Sequence, residues 1–375
     1  MNRSKDDKAQ HGICHLSTVH KWTSTRIFHK ELRSLMKHGY KVSFIVQNGE
    51  AKLINGIEII PLPRARGRIN RVVYLGFKSL CLAVRQRADV YHFHDPELVL
   101  IGLVLKCFKK IVIYDAHEDL PRQILSKKYA EKVFPTKLSS IIEKLENFAA
   151  KRFDVVVAAT PFIRDRFLTL ACTSLDINNF PTVSGFVKSN TAWLSKECAV
   201  CYVGGISSNR GIFEMVKAIE RTSARLLLAG EFSSAKERGK LIQMPGLENV
   251  KVLGQLPWEE IPQVLSRSMA GLVVLHPCIN YMKSLPVKMF EYMAAGIPVI
   301  ASNFPLWKEI IEFNECGICV DPLNSDEISE AVKWIVCNAA EAKRMGENGR
   351  KAVKNRYCWE TEERKLLDLY ESLLS

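Results

Sequence analysis

The sequence predicts an α/β protein built from two doubly wound, parallel-sheet domains. Three observations carry that expectation. Apolar runs of strand length alternate with amphipathic stretches of helical period from one end to the other. The rhythm breaks once, at Asn178-Asn179-Phe180-Pro181, and restarts after the polar, irregular stretch Thr182 to Lys196. With 375 residues the chain is also long enough for two domains of ordinary size. The expected limits are a first domain at 1–181, a linker at 182–197, a second domain at 198–358 and a closing helix within 359–375 that packs back on the first domain.

In the first domain Ile13 to Ser17 is a short apolar run, and Thr25 to His38 has the spacing of an amphipathic helix. Strands follow at Lys41 to Val46 and Gly56 to Pro61. Asn70 to Arg87 is a helix with Leu, Val and Phe on one side and Arg and Lys on the other. Asp89 to Phe93, Lys110 to Tyr114 and Asp154 to Ala158 are strands, separated by helices at Glu97 to Phe108 and Leu138 to Arg152. The second domain has strands at Ala199 to Val203, Ala224 to Ala229, Val250 to Leu253, Gly271 to Leu275, Pro298 to Ala301 and Gly317 to Val320. A helix at Ile212 to Arg221 follows its first strand, and the last helix runs from about Thr361 to Leu374. In Ser284 to Ser302, Ser284 can cap a helix, Pro286 fits its first turn and Gly296 suits the left-handed residue that closes it. Helical crossovers at this spacing require parallel, right-handed βαβ units. Ligands of such sheets bind beyond the carboxyl ends of the strands, so a cleft between the two domains is the expected site.

The formal charge of +13 points to an anionic partner. No block of like charge reads as a nucleic-acid arm, and the densest cluster, Arg64, Arg66, Arg68 and Arg71, has no interleaved aromatics. A basic loop resting on an anionic membrane surface fits it better. Met1 to Gln10 is charged, without the apolar core of a signal peptide, and reads as a frayed tail. Leu98 to Leu105 is too short to span a bilayer. Eleven cysteines, an odd number without a secretory signal, point to a reducing cytoplasm. Cys198/Cys201 and Cys316/Cys319 have zinc-like spacing but lie in or beside apolar β-like runs, and ordinary buried thiols are the expectation.

Chemistry gathers at the strand ends. Val203-Gly204-Gly205-Ile206-Ser207-Ser208-Asn209-Arg210-Gly211 follows the first strand of the second domain. Glycines let a backbone approach phosphate, the next helix offers free N–H groups, and Arg210 adds a cationic fork. Lys288 and Glu291 share one helix face three residues apart. As an i,i+3 pair they fit a solvated surface; with the glycine turn they form a candidate diphosphate and ribose site. In the first domain, His92-Phe93-His94-Asp95-Pro96-Glu97 and Tyr114-Asp115-Ala116-His117-Glu118-Asp119 place histidines and carboxylates at neighbouring strand tips. Such groups bind metal, act as acid and base, or hydrogen-bond a polyhydroxylated substrate. Helix capping is the structural reading for Asp95 and for Asp115 or Asp119, whereas histidines at open sheet edges have no structural requirement.

These motifs, with His20 to Glu31, resemble bacterial group 1 glycosyltransferases of surface polysaccharide biosynthesis, the retaining family-four type with the two-domain GT-B architecture. The run Pro286-Val287-Lys288-Met289-Phe290-Glu291-Tyr292-Met293-Ala294-Ala295-Gly296 is the most specific part. The resemblance implies sugar transfer from a nucleotide diphosphate sugar with retention, without a catalytic metal or other cofactor. It places Glu291 on the donor ribose, Arg210 where a phosphate-binding lysine is usual and Gly254 at the nucleobase. It sets His117 against the donor sugar, and His94 and Asp95 among acceptor or sugar contacts.

Three departures stand out: Lys283 where the first of two paired glutamates is expected, Gly205 for a common arginine, and Ser24 for an aspartate. The first removes the carboxylate nearest the anomeric carbon, leaving Lys283 as a possible acceptor or sugar contact, and Lys288 can offset the second. The expected partners are therefore a nucleotide-sugar donor, a UDP-sugar before a GDP-sugar, a lipid-linked saccharide acceptor and the cytoplasmic face of an anionic inner membrane. Nucleic acid is not among them. The rival readings are a nucleotide-sugar epimerase of the same architecture and a non-catalytic nucleotide or glycan binder.

Overall fold

The structure, a computed structural model, describes residue 8 and residues 10–126, 135–186 and 193–375. The chain forms two compact units, Met1–Asn179 with Glu362–Ser375, and Phe180–Thr361.

The first unit holds strands β1 (Gly12–Lys21), β2 (Lys41–Gln47), β3 (Lys52–Ile54), β4 (Ile57–Leu62), β5 (Val90–Phe93), β6 (Ile111–Ala116), β7 (Val155–Ala158) and β8 (Ser174–Asp176). They form one sheet in the order β3-β4-β2-β1-β5-β6-β7-β8. All neighbours are parallel except β3, which pairs antiparallel with β4. β5 and β7 are wholly buried, as residues of a parallel sheet covered on both faces must be. The two edge strands that the sequence does not announce, β3 and β8, have three residues each, too few to carry a period-two signal.

The first helix opens as a π-helical stretch at Thr25–Leu32 and tightens into α-helix at Arg33–Lys37. Ser24 caps it, its hydroxyl accepting from the Ile27 N–H. Three further helices, Gly76–Gln86, Val99–Cys107 and Pro135–Ala150, lie side by side in that order. The closing helix Trp359–Leu374 completes this unit from Glu362 onward. Leu366 and Tyr370 are buried, and the Glu362 carboxylate accepts the Asn178 N–H.

The second unit is a six-stranded parallel sheet, β11-β10-β9-β12-β13-β14. Its strands are β9 (Ala199–Val203), β10 (Arg225–Ala229), β11 (Val250–Gly254), β12 (Ala270–Val273), β13 (Val299–Ser302) and β14 (Gly317–Val320). One face is packed by Phe290, Tyr292 and Trp307, the other by Met215, Val216 and Ile328. The expected linker 182–197 is not a free tether where it is described, because Phe180–Thr361 is one compact unit. Phe180 and Phe186 are buried in it, and Phe180 packs edge-on against Phe290 and Tyr357. Residues 187–192 of that stretch, and 1–7 and 9 of the expected N-terminal tail, lie outside the described residues.

The helix Val287–Ala295 starts two residues later than a cap at Ser284 would set it. Pro286 occupies the cap position with no side-chain cap, and the Ser284 hydroxyl donates to the Tyr281 carbonyl. Gly296 closes the helix at φ 72°. Of the four cysteines expected to be buried, Cys201 and Cys316 are, each pushed up to about 12 by burial, whereas Cys319 is half-buried and Cys198 is exposed beside the start of β9.

Candidate active site

In the second unit three adjacent strands, β9, β10 and β11, end on Gly204, Gly230 and Gly254, with φ of 137°, 148° and 71°. The Gly204 N–H donates to the Ala229 carbonyl at 2.9 Å and the Gly230 N–H to Gly254 at 2.7 Å. Glycine is required here for space as well as for backbone angle. A Cβ on Gly204 would lie 2.8 Å from Lys288 Nζ, and one on Gly205 would lie 2.7 Å from Arg210 Nη1. Two cations therefore fill the volume that two side chains vacate.

Arg210 ends the short 3-10 turn Ser208–Arg210, and its Nη1 donates to the Gly205 carbonyl at 3.1 Å. Lys288 is not on a solvated face. Its Nζ is buried, lies 3.8 Å from the Tyr202 ring centroid and has no hydrogen-bond acceptor. Burial, and then the neighbouring Arg210 charge, push its pKa well below the usual lysine range, against the pull of Glu291. A desolvated ammonium without an acceptor is costly, and an anion at this corner relieves the cost.

Backbone amides contribute less than the glycine-rich sequence implies. The N–H groups of Gly204, Ile206, Ser208, Arg210 and Gly211 are already bonded within the protein. Glu291 is half-buried on the same helix as Lys288, while Lys283 is exposed at the end of the short helix Ile279–Met282.

In the first unit strand register builds a second cluster. His15 of β1 pairs with His92 of β5, which pairs with Ile113 of β6. The two-residue period then sets His94 and Asp115 on the same face one step further on. His92 and His94 are fully buried, so they stand inside the sheet and not at its open edge; covering elements, including the closing helix, account for the difference.

Asp115 fixes the protonation pattern. It accepts from Arg26 Nε at 3.1 Å and Nη2 at 2.9 Å, from His117 Nε2 at 3.0 Å and from His94 Nδ1 at 3.1 Å. Burial alone would raise its carboxyl. The Arg26 charge and the two histidines outweigh that and hold it well below the usual carboxylate range. Since Asp115 only accepts, His94 must present its other nitrogen as acceptor to His15 Nδ1, 2.8 Å away. His15 Nε2 then accepts from the Tyr370 hydroxyl at 3.0 Å, whose oxygen accepts from His92 Nδ1 at 2.8 Å.

The chain ends on His92 Nε2, a buried acceptor without a hydrogen-bond partner. Burial pushes His92 down to about 3, and desolvation lowers His15 and His94 as well, so all three rings are neutral. Burial likewise raises Glu31 well above the carboxylate range.

Glu31, His92, His94 and Asp115 bring donor atoms within 4.8 Å of one another. A cation there would have to displace Arg26, whose fork holds Asp115 and whose Nε lies 3.0 Å from Glu31. Asp95 does not cap the helix that follows. It accepts from the Ser17 hydroxyl and the Thr18 and Val19 N–H groups, and an acceptor contact would cost it these partners. Asp119 pairs with Arg166 at 3.1 Å. Only His117 of the expected set in this unit is partly open, at 18%.

The structure thus joins Arg210, Lys288, Gly204 and Gly205 in one corner, and His94 and His117 in one network. The sequence reading missed Arg26, Glu31, His15 and Tyr370. A signal for His15 exists: His15 and Ser17 are polar at alternate positions of the otherwise apolar run Ile13 to Ser17.

Comparisons with known proteins follow this division. Residues 187–352 match the family described as glycosyl transferases group 1, and residues 24–174 match glycosyltransferase family 4. The chain is 34% identical over 86 residues to the GDP-mannose-dependent alpha-(1-6)-phosphatidylinositol monomannoside mannosyltransferase of Mycobacterium tuberculosis, covering 23% of this chain and 22% of that protein. The chain spans about 45% of the length of the curated relatives that it matches over 180 residues. Among solved structures, sucrose-phosphate synthase from Thermosynechococcus elongatus superposes with a TM-score of 0.80 at 19% identity, over 97% of this chain and 99% of that one. Anabaena HepE in complex with UDP-glucose superposes with a TM-score of 0.73 at 17% identity, over 96% and 99%.

Proposed function

The chain belongs to the group 1 glycosyltransferases, with the GT-B fold, and from that premise we propose that it moves a sugar from a UDP-sugar to a lipid-linked saccharide acceptor, with retention of anomeric configuration. One observation carries this reading: Arg210 and the buried, acceptor-less Lys288 converge on the Gly204-Gly205 corner. Two cations at the carboxyl end of a parallel sheet suit a diphosphate, and Glu291 on the Lys288 helix suits the ribose. The acceptor hydroxyl attacks the anomeric carbon on the face that the diphosphate leaves. The C–O bond to phosphate breaks as the new C–O bond forms, and the departing phosphate oxygen takes the proton. Arg210 and Lys288 stabilise the charge that develops on the leaving group. Their effect grows during reaction, because negative charge builds on the diphosphate as its bond to the anomeric carbon breaks. His117 contacts the transferred sugar.

The relative acting on a phosphatidylinositol mannoside supports a lipid-linked acceptor; its own donor is GDP-mannose whereas HepE is seen with UDP-glucose, so both bases belong in the test. The setting is surface polysaccharide assembly, an O-antigen or capsule repeat, on the cytoplasmic face of the inner membrane. A panel of UDP- and GDP-sugars read by thermal shift, followed by transfer to lipid-linked acceptors, tests the proposal. Stabilisation by a UDP-sugar and acceptor-dependent release of UDP are expected. Turnover without an acceptor would replace transfer by epimerisation, and binding without any turnover would leave a non-catalytic binder.

A further inference from the structure

The three helices that lie side by side in the first unit each carry a second apolar stripe, turned outward. On Pro135–Ala150 it is Leu138, Ile141, Leu145 and Phe148, at steps of three, four and three residues, all exposed. The inward side of that helix mixes the small core residues Ala149 and Ala150 with polar groups. Ser139 donates to the Pro121 carbonyl, and Glu146 accepts from Tyr114 and pairs with Arg166. The large apolar side chains of this helix are therefore mostly on its outward side. The neighbouring helix exposes Leu100, Val104 and, at its end, Phe108. The third element, running from Arg71 through Gly76–Gln86, exposes Val73, Phe77 and Val84, with Phe77 at 65%. Half of the large exposed apolar residues among those described lie on these helices and the turn before them. A layer of this extent exceeds what scattered surface apolar residues explain.

Charge identifies what covers it. Residues 64–87, 97–110 and 135–152 hold fourteen Lys and Arg against three Asp and Glu, most of the chain's +13 surplus. All three acids are engaged: Glu97 with Arg71, Glu143 with Arg122 and Glu146 with Arg166. Basic side chains in large excess over acidic ones therefore surround an apolar face, even with Lys106 paired to Asp154. A protein partner would need a matching acidic rim and apolar centre, whereas an anionic bilayer supplies both over any area.

We propose that this three-helix face seats the first unit on an anionic lipid bilayer. The outward stripes enter the headgroup–acyl boundary and the surrounding Lys and Arg side chains lie in the headgroup layer. No helix among the described residues is long and apolar enough to cross a membrane, so the contact is monotopic. The inference deepens the membrane setting proposed above, and extends it from the Arg64 to Arg71 loop to two further helices. It does not depend on the identity of donor or acceptor.

The test is flotation of the full chain with phosphatidylglycerol vesicles and with phosphatidylcholine vesicles, at low and high salt. The wild type is expected to float with phosphatidylglycerol, and to retain part of that binding at a salt concentration that screens charge alone. Ile141→Ser/Leu145→Ser/Phe148→Ser should reduce vesicle binding at least tenfold, with melting temperature and UDP-induced thermal shift unchanged. Phe77→Ser on the separate helix should add to the loss. Wild type that stays unbound overturns the proposal, as does a triple variant that floats like wild type. If the wild type self-associates in solution and the triple variant does not, while neither floats, the face is a contact between copies and the bilayer is excluded. The thermal-shift arm reports separately on the donor site, so loss of one reading is not loss of the other.

Discussion

The two clusters differ in how fully they satisfy themselves. In the first unit Asp115, Arg26, three neutral histidines and Tyr370 form a network in which nearly every polar atom has a partner inside the protein. In the second, Arg210 reaches a carbonyl of its own loop and the Tyr202 and Tyr281 hydroxyls but no carboxylate, and Lys288 has no acceptor at all. Both contain buried charge. The first pairs its charges internally, with His92 Nε2 and the Glu31 carboxyl left short of hydrogen bonds; the second is short of an anion. Burial alone does not separate the two cases, but the count of partners does.

The sharpest way to break this contrast is at Arg26. Arg26→Met leaves Asp115 buried without its counter-charge and should destabilise the first unit by about 3–5 kcal/mol. Urea unfolding would measure it, and hydrogen exchange should place the loss within Met1–Asn179. Wild-type stability would mean that the network does not pair its charges in the way described.

Acid should act on the same unit. His92 has a folded-state pKa of about 3, below its unfolded value near 6.5, so between these limits the unfolded chain binds the extra proton. Stability is then full above pH 6.5 and falls as pH drops, by about 2 kcal/mol at pH 5 for this ring alone. A flat denaturation midpoint from pH 7 to pH 5 would count against neutral buried rings.

The second cluster should show the opposite pattern, a functional loss with little structural cost. Arg210→Ala should lower turnover at least tenfold, about 1.4 kcal/mol in transition-state terms, with the fold intact. Unchanged kinetics in that variant would remove Arg210 from the site. Lys288→Met carries the contrast furthest, because it should stabilise the free protein while abolishing the UDP-induced thermal shift. The gain should be about 1 kcal/mol, roughly 2–4 °C. The depressed lysine pKa means that the unfolded chain holds the extra proton at any pH between that lowered value and the ordinary lysine value of 10.5. Stability of the wild type therefore rises with pH through that window, and the advantage of the variant should shrink toward alkaline pH.

What the sequence disclosed follows from range. Strands buried on both faces and the glycine corner are local signals, and Val203 to Gly211 reads as a phosphate turn within nine residues. The inward turn of Lys288 is not local, since a lysine and a glutamate three apart fit a solvated helix equally well. It depends on the space left by Gly204 and Gly205, more than 80 positions earlier. The histidine network needs β1, β5, β6 and the closing helix together, which is why His92 and His94 read as edge residues and Arg26 and Tyr370 went unassigned. Likewise Ser284 had the right chemistry to cap, but Pro286 took the position.

Tyr370 also bears on how the protein is made. It is the one hydroxyl that joins His15 to His92, and it sits on the helix Trp359–Leu374. During synthesis the strands that carry His15 and His92 emerge early, yet the two rings stay unlinked until the helix bearing Tyr370 has been made.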